Sequence, residues 1–73
     1  MSHSPLRLGV IGCGAMARTH LDMLRNVPEI SVQAYSDVRL EAAEYCLRAY
    51  GGRYATANSE QLLNDPTLDA ILI

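Results

Sequence analysis

Apolar and polar positions along this chain change period six times. Arg7 to Ile11 is a short, mostly apolar run that stops abruptly at Gly12, which predicts a strand. Beyond it Ala17, Leu21, Leu24 and Val27 recur at helical spacing, with Arg18, Asp22 and Arg25 off the stripe. That predicts a helix over 15–26, stopped by Asn26 and Pro28. From Ile30 to Ser36 the period falls to two: Ile30, Val32 and Ala34 alternate with Ser31 and Gln33, a second strand. A second helix is expected over 39–50, with Leu40, Ala43, Leu47 and Tyr50 on its buried face and Glu44–Arg48 as an i, i+4 ion pair. Gly51-Gly52 ends it. Arg53 to Ala57 reads as a short sheet-edge strand. Asn58 or Ser59 then caps a short helix over 60–64, Asn58 and Gln61 fit a capping box, and Leu62 and Leu63 are its expected anchors. The final run, Asp69-Ala70-Ile71-Leu72-Ile73, does not alternate, as in a strand buried on both faces.

Strands alternating with helices imply parallel pairing through right-handed crossovers. The expected fold is α/β, a Rossmann-type doubly wound parallel sheet in the order β-α-β-α-β-α-β. Residues 1–5 form a flexible lead-in and 6–73 the folded unit. The short third strand lies outside the second, the second beside the first, and the last on the first strand's other side. The order reverses between the first and last strands, where such sheets bind ligands. The last strand's second face has nothing in this sequence to cover it. The expectation is therefore the front part of a longer nucleotide-binding domain, with its remaining strands and a substrate domain elsewhere.

Composition narrows the function classes. At 73 residues the chain buries only about 60–65% of its unfolded surface, and 49% of it is hydrophobic, a globular proportion. Its net charge is −2, and its six basic residues are all arginines scattered from Arg7 to Arg53, which gives no reason to expect nucleic acid or an anionic membrane. No run approaches the ~20 apolar residues of a membrane span. Met1 to Pro5 lacks the features of a signal peptide, so cytoplasmic residence is the default. Cys13 and Cys46 do not suggest a disulfide framework.

The candidate chemistry sits at the first strand's end, in Gly12-Cys13-Gly14-Ala15-Met16-Ala17. A strand that turns sharply at Gly12 needs dihedrals open to glycine. Gly14 lets another molecule approach the backbone, and Ala17 lets the helix pack on the strand. The helix's first N–H groups lack internal partners and favour a phosphate. This is the dinucleotide-binding fingerprint with alanine in its third glycine position. Asp37 follows Ala17 by 20 positions, at the second strand's end, where the fingerprint places a carboxylate on the adenosine ribose. Asp37 equally suits a helix cap or a turn. A carboxylate there favours NAD over NADP, while Arg39 offers a 2′-phosphate partner or is plain surface. Cys13 is read as a small residue at a variable position rather than a reactive thiol. His20, in mid-helix without a partner in sequence, is assigned a structural role, and His3 has no second metal ligand nearby.

Three segments together, Leu-Gly-Val-Ile-Gly-Cys-Gly-Ala-Met-Ala-Arg-Thr-His-Leu, Tyr-Ser-Asp and Leu-Leu-Asn-Asp-Pro-Thr-Leu-Asp-Ala-Ile-Leu-Ile, resemble the glucose–fructose oxidoreductase / inositol dehydrogenase (Gfo/Idh/MocA) family from Leu6 to Ile73. The resemblance implies that Gly12, Cys13, Gly14, Ala15 and Met16 surround the cofactor pyrophosphate, with Asp37 and Arg39 at the adenosine end. It implies a two-domain, commonly oligomeric oxidoreductase that exchanges hydride between NAD(P) and a sugar, polyol or related small molecule. Its catalytic lysine lies in a Glu-Lys-Pro motif, and this chain has no lysine, so no catalytic residue is assigned here. The alternative is a regulator of the same fold that binds NAD(P) without catalysis. A different Rossmann enzyme fits the Asp-Pro-x-x-Asp-Ala segment less well.

Overall fold

In the computed structural model, which describes residues 4–73, the first apolar run becomes β1 (Leu6–Ile11) at the centre of a parallel sheet. After it come α1 (Ala15–Leu24), β2 (Ile30–Ser36), α2 (Leu40–Tyr50), β3 (Tyr54–Thr56), α3 (Ser59–Leu63) and β4 (Ala70–Leu72). The strands lie in the order β3-β2-β1-β4, and every pairing is parallel. This is the expected doubly wound arrangement, with its reversal between β1 and β4. His3 and the start of the expected lead-in lie outside the described residues.

The main core lies under α1 and α2. Leu8, Val10, Cys13, Leu21, Tyr35, Ala43 and Cys46 are buried there, with Val32, Leu47 and Tyr50 packed against them. The strict alternation read along β2 breaks in the middle. Leu8 pairs with Val32 but Gly9 pairs with Ala34, so Gln33 is an extra residue, a bulge. Tyr35 thereby returns to the side of Val32 and joins this core, its hydroxyl donating to the Gly51 carbonyl, while Ala34 is buried on the other face beside Gly9. On that second face Leu62 is fully buried, and the tips of Leu62, Leu68 and Ile71 close over Gly9.

Several local expectations are corrected. α1 ends at Leu24, because Asn26 and Val27 bond three residues back and tighten the chain before Pro28. On α2 Leu40 is exposed and Cys46 takes the buried place, since a stripe through Ala43, Cys46, Leu47 and Tyr50 follows the helix better. Leu63 is 57% exposed, so Leu62 alone anchors α3. Asn58 does cap α3 by accepting from the Glu60 N–H at 3.0 Å, but its own N–H is taken by Thr56 Oγ1 rather than by Gln61. Glu44 and Arg48 form no ion pair; those among the described residues are Arg7–Asp69, Arg39–Glu41 and Arg53–Asp65. β4 begins at Ala70, with Leu68 and Asp69 in the turn before it.

Two aspartates hold that turn and the last strand. Asp69 accepts from the Arg7 N–H at 2.8 Å and from both Nε and Nη2 of the Arg7 guanidinium at 3.2 Å, locking β4 onto β1. Asp65 accepts from Thr67 and Tyr54 hydroxyls, the Thr67 N–H and Arg53. Hydrogen bonds from Thr67 and Tyr54 hold the Asp65 carboxyl well below the usual range, and those from Arg7 lower Asp69. Both groups therefore take a proton more readily in the unfolded chain, near pH 4. Their stabilisation is complete above roughly pH 5 and is lost as pH falls through 4 toward the folded-state values. The urea midpoint is expected to stay level from pH 7 to about 5.5 and to drop below about 4. Asp65→Asn should flatten much of that drop while lowering the neutral-pH plateau.

Candidate functional site

β1 delivers the chain to its carboxyl end at Gly12, whose φ of +94° lies in the region disfavoured for residues with a Cβ. The turn is pinned to β2: the Gly12 N–H donates to the Ser36 carbonyl at 2.7 Å, and the Cys13 thiol reaches the same oxygen at 3.6 Å. Gly14 is the N-cap of α1 in ordinary extended geometry (φ −80°), so its glycine is not required by backbone conformation. What distinguishes Gly14 is space. A Cβ built on Gly12 or on Gly14 meets no atom within 4 Å. No side chain caps α1, so the first N–H groups of the helix, including those of Ala15 and Met16, open onto that space. Partial positive charge, free donors and room for a ligand coincide there, as a phosphate requires.

Cys13 turns away from this opening. Its side chain is 2% exposed, its backbone N–H is committed to Asp37, and its carbonyl accepts the Cys46 thiol at 4.0 Å. Burial pushes the Cys13 thiol up to about 12 and also raises Cys46, so neither is a ready nucleophile. Both cysteines are free.

At the end of β2, Asp37 stands beside the turn. One carboxylate oxygen accepts the Cys13 N–H at 2.8 Å and the other the Arg39 N–H at 2.9 Å, and these two bonds lower its pKa. Arg39 is the N-cap position of α2, with its side chain largely exposed and 3.9 Å from Glu41. Asp37 lines a hollow of about 200 Å³ with Ile11, Gly12, Ser36, Val38, Ala57 and Ser59. Val38 is 92% exposed there, an apolar side chain without a partner.

On the β4 side of Gly12 lies an apolar crevice of about 460 Å³, walled by Val10, Met16, Ala17, His20, Leu72 and Ile73. It sits where the strand order reverses. His20 is exposed on its wall and not packed in the structural role expected of it. The signal was present: His20 is four residues after Met16 and so shares its side of the helix. Gly12, Gly14, Ala15, Met16 and Asp37 thus converge on one edge, whereas Arg39 stands at the surface beside it and the Cys13 side chain is in the core. Among the described residues no three His, Cys, Asp or Glu side chains gather to hold a metal, and no helix is long and apolar enough to cross a membrane.

This arrangement has relatives. Residues 6–73 match the GFO_IDH_MocA model, described as an oxidoreductase family with an NAD-binding Rossmann fold. The chain belongs to that family. Inositol 2-dehydrogenase/D-chiro-inositol 3-dehydrogenase of Lacticaseibacillus casei is 39% identical over 70 residues, covering 93% of this chain and 20% of that protein. Among solved structures, a 3-ketoreductase from Actinomadura kijaniata in complex with TDP-benzene and NADP superposes with a TM-score of 0.84 at 32% identity, over 93% of this chain and 22% of that one. A myo-inositol dehydrogenase from Lactobacillus casei in complex with NAD(H) and myo-inositol gives 0.81 at 39% identity, over 92% and 20%. The chain spans about one fifth of the length of the curated relatives it matches. Gfo/Idh/MocA relatives are thus seen with either dinucleotide.

Proposed function

We propose that this chain is the nucleotide-binding portion of an NAD-dependent oxidoreductase acting on a hydroxyl or carbonyl carbon of a sugar, polyol or similar small molecule. The observation that carries the reading is the open space over Gly12 and Gly14, bounded by the uncapped α1 terminus on one side and the Asp37 carboxylate on the other. The N–H groups of Gly14, Ala15 and Met16 would hold the pyrophosphate. Asp37 would accept hydrogen bonds from the adenosine ribose, with Val38 offering an apolar contact at that end. The nicotinamide, when bound, carries the hydride; the protein's share is positioning and electrostatics. The substrate-contacting and proton-transferring groups belong to the rest of such an enzyme. A cytoplasmic, homo-oligomeric protein is the expected setting.

NAD is favoured over NADP because Asp37 is held ionised and a carboxylate repels a 2′-phosphate. Arg39 leans toward Glu41, which leaves that repulsion standing. Titration of the protein with NADH and NADPH by nicotinamide fluorescence should show NADH bound at least tenfold more tightly, a difference of about 1.4 kcal/mol. Asp37→Ala should erode that preference several-fold. Equal affinities in the unaltered protein would remove the cofactor choice, and no binding of either would remove the reading.

A further inference from the structure

Asp37 is the point where four elements meet. Its N–H donates to the Thr56 carbonyl at the end of β3, and it follows the last residue of β2. One of its oxygens takes the Cys13 N–H of the turn after β1, and the other takes the Arg39 N–H at the start of α2. The bond to Cys13 is the only one from a charged group to the turn among the described residues, and it spans 24 residues of sequence. Resting on the cofactor reading above, we infer that Asp37 has a second task in cofactor binding: besides meeting the ribose, it is a positioning residue that fixes the phosphate turn. The geometry assigns different parts of the carboxylate to the two tasks. A carboxylate has about four lone-pair sites, of which the two backbone donors use two. The remaining two are available to the ribose hydroxyls in the hollow that Asp37 lines.

Fixing Cys13 has a direct consequence for the phosphate donors. With its N–H turned inward to Asp37, its peptide plane is set, and the next N–H groups, those of Gly14 and Ala15, are left free. A carboxylate tethered at both oxygens also cannot swing aside for a 2′-phosphate without releasing the turn. Discrimination against NADP and order in the pyrophosphate cradle are therefore coupled.

The two tasks separate experimentally. In ligand-free protein, Asp37→Ala should accelerate amide hydrogen exchange at Cys13 by about tenfold or more, the size of effect of a charge-assisted hydrogen bond, while Val10 in β1 keeps its rate. Asp37→Asn, which keeps one carbonyl acceptor, should fall between. An NADH analogue lacking both adenosine-ribose hydroxyls should still bind Asp37→Ala about threefold or more weakly than the unaltered protein, because the turn is disturbed. Unchanged Cys13 exchange, or an analogue indifferent to the substitution while NADH binding drops, would overturn the positioning role and leave the ribose contact intact. Unaltered protein that binds neither dinucleotide would overturn the cofactor reading, and this inference with it.

Discussion

Gly14→Val should reduce dinucleotide affinity by about a hundredfold or more while costing the fold under about 1 kcal/mol. The asymmetry follows from where the glycine's work is done. Gly14 has φ −80°, a conformation any residue adopts, and a Cβ there meets no protein atom within 4 Å. A valine therefore sits in the native backbone at little more than the loss of a good N-cap residue. Its methyl groups, however, project into the volume the pyrophosphate would need beside the α1 terminus. Thermal unfolding alongside an NADH titration separates the two effects. A valine variant with native affinity would mean that the phosphates do not approach Gly14. Gly12 behaves differently, since at φ +94° any side chain adds backbone strain of about 1–2 kcal/mol to the steric block.

Gly52→Ala should be the most damaging single methyl in the chain, at about 2–4 kcal/mol of stability. Gly52 has φ +147°, and a Cβ there would lie 2.9 Å from the Gln33 carbonyl oxygen, 3.1 Å from the Val32 carbonyl oxygen and 3.1 Å from the Tyr35 ring. Two of these are backbone atoms at the bulge in β2 and cannot retreat as a side-chain tip can. Against a total stability of about 5–15 kcal/mol for a typical domain, such a loss leaves a small chain partly unfolded at 37 °C. Gly9→Ala provides the comparison. Its Cβ would come within 2.8 Å of Leu68 Cδ1 and 3.1 Å of Ile71 Cδ1 and Leu62 Cδ2, all ends of flexible side chains, so about 1 kcal/mol is expected. Urea denaturation of the two variants should rank them in that order; the reverse would show that the tips over Gly9 are more rigid than the β2 backbone at Gln33.

These contrasts show what the sequence disclosed and what it concealed. The Gly12 turn, the uncapped helix after it and the acidic end of β2 are local events, each produced by a few adjacent residues, and they stand out in the chain. Strand order followed from the same local pattern, because short strands joined through helices have few parallel solutions. The bulge at Gln33 left no such mark. It contains no glycine and arises from pairing with β1, so period-two reasoning grouped Ala34 with Val32, although the two lie on opposite faces. The inward turn of Cys13 was equally hidden, since its partners Asp37 and Cys46 are 24 and 33 residues away. The place of His20 on the crevice wall was legible only through its i+4 relation to Met16, which its mid-helix position obscured. Leu63 was misread because adjacent leucines cannot both face the sheet from one short helix.

The place of β4 in the sheet bears on how the molecule assembles. β1 sits between β2 and β4, yet Arg7 and Asp69, whose side chains join β1 to β4, are separated by 62 residues. As the chain leaves the ribosome at about 5–20 residues per second, β1 emerges roughly 3–12 seconds before β4, with β2 and β3 in between. During that interval the β1 edge that will receive β4 has exposed N–H and C=O groups and no partner. The strand that will complete one wall of the crevice thus arrives after β1, β2 and β3, and the nascent sheet waits with an open, pairing-competent edge where interstrand association with another chain competes with native closure.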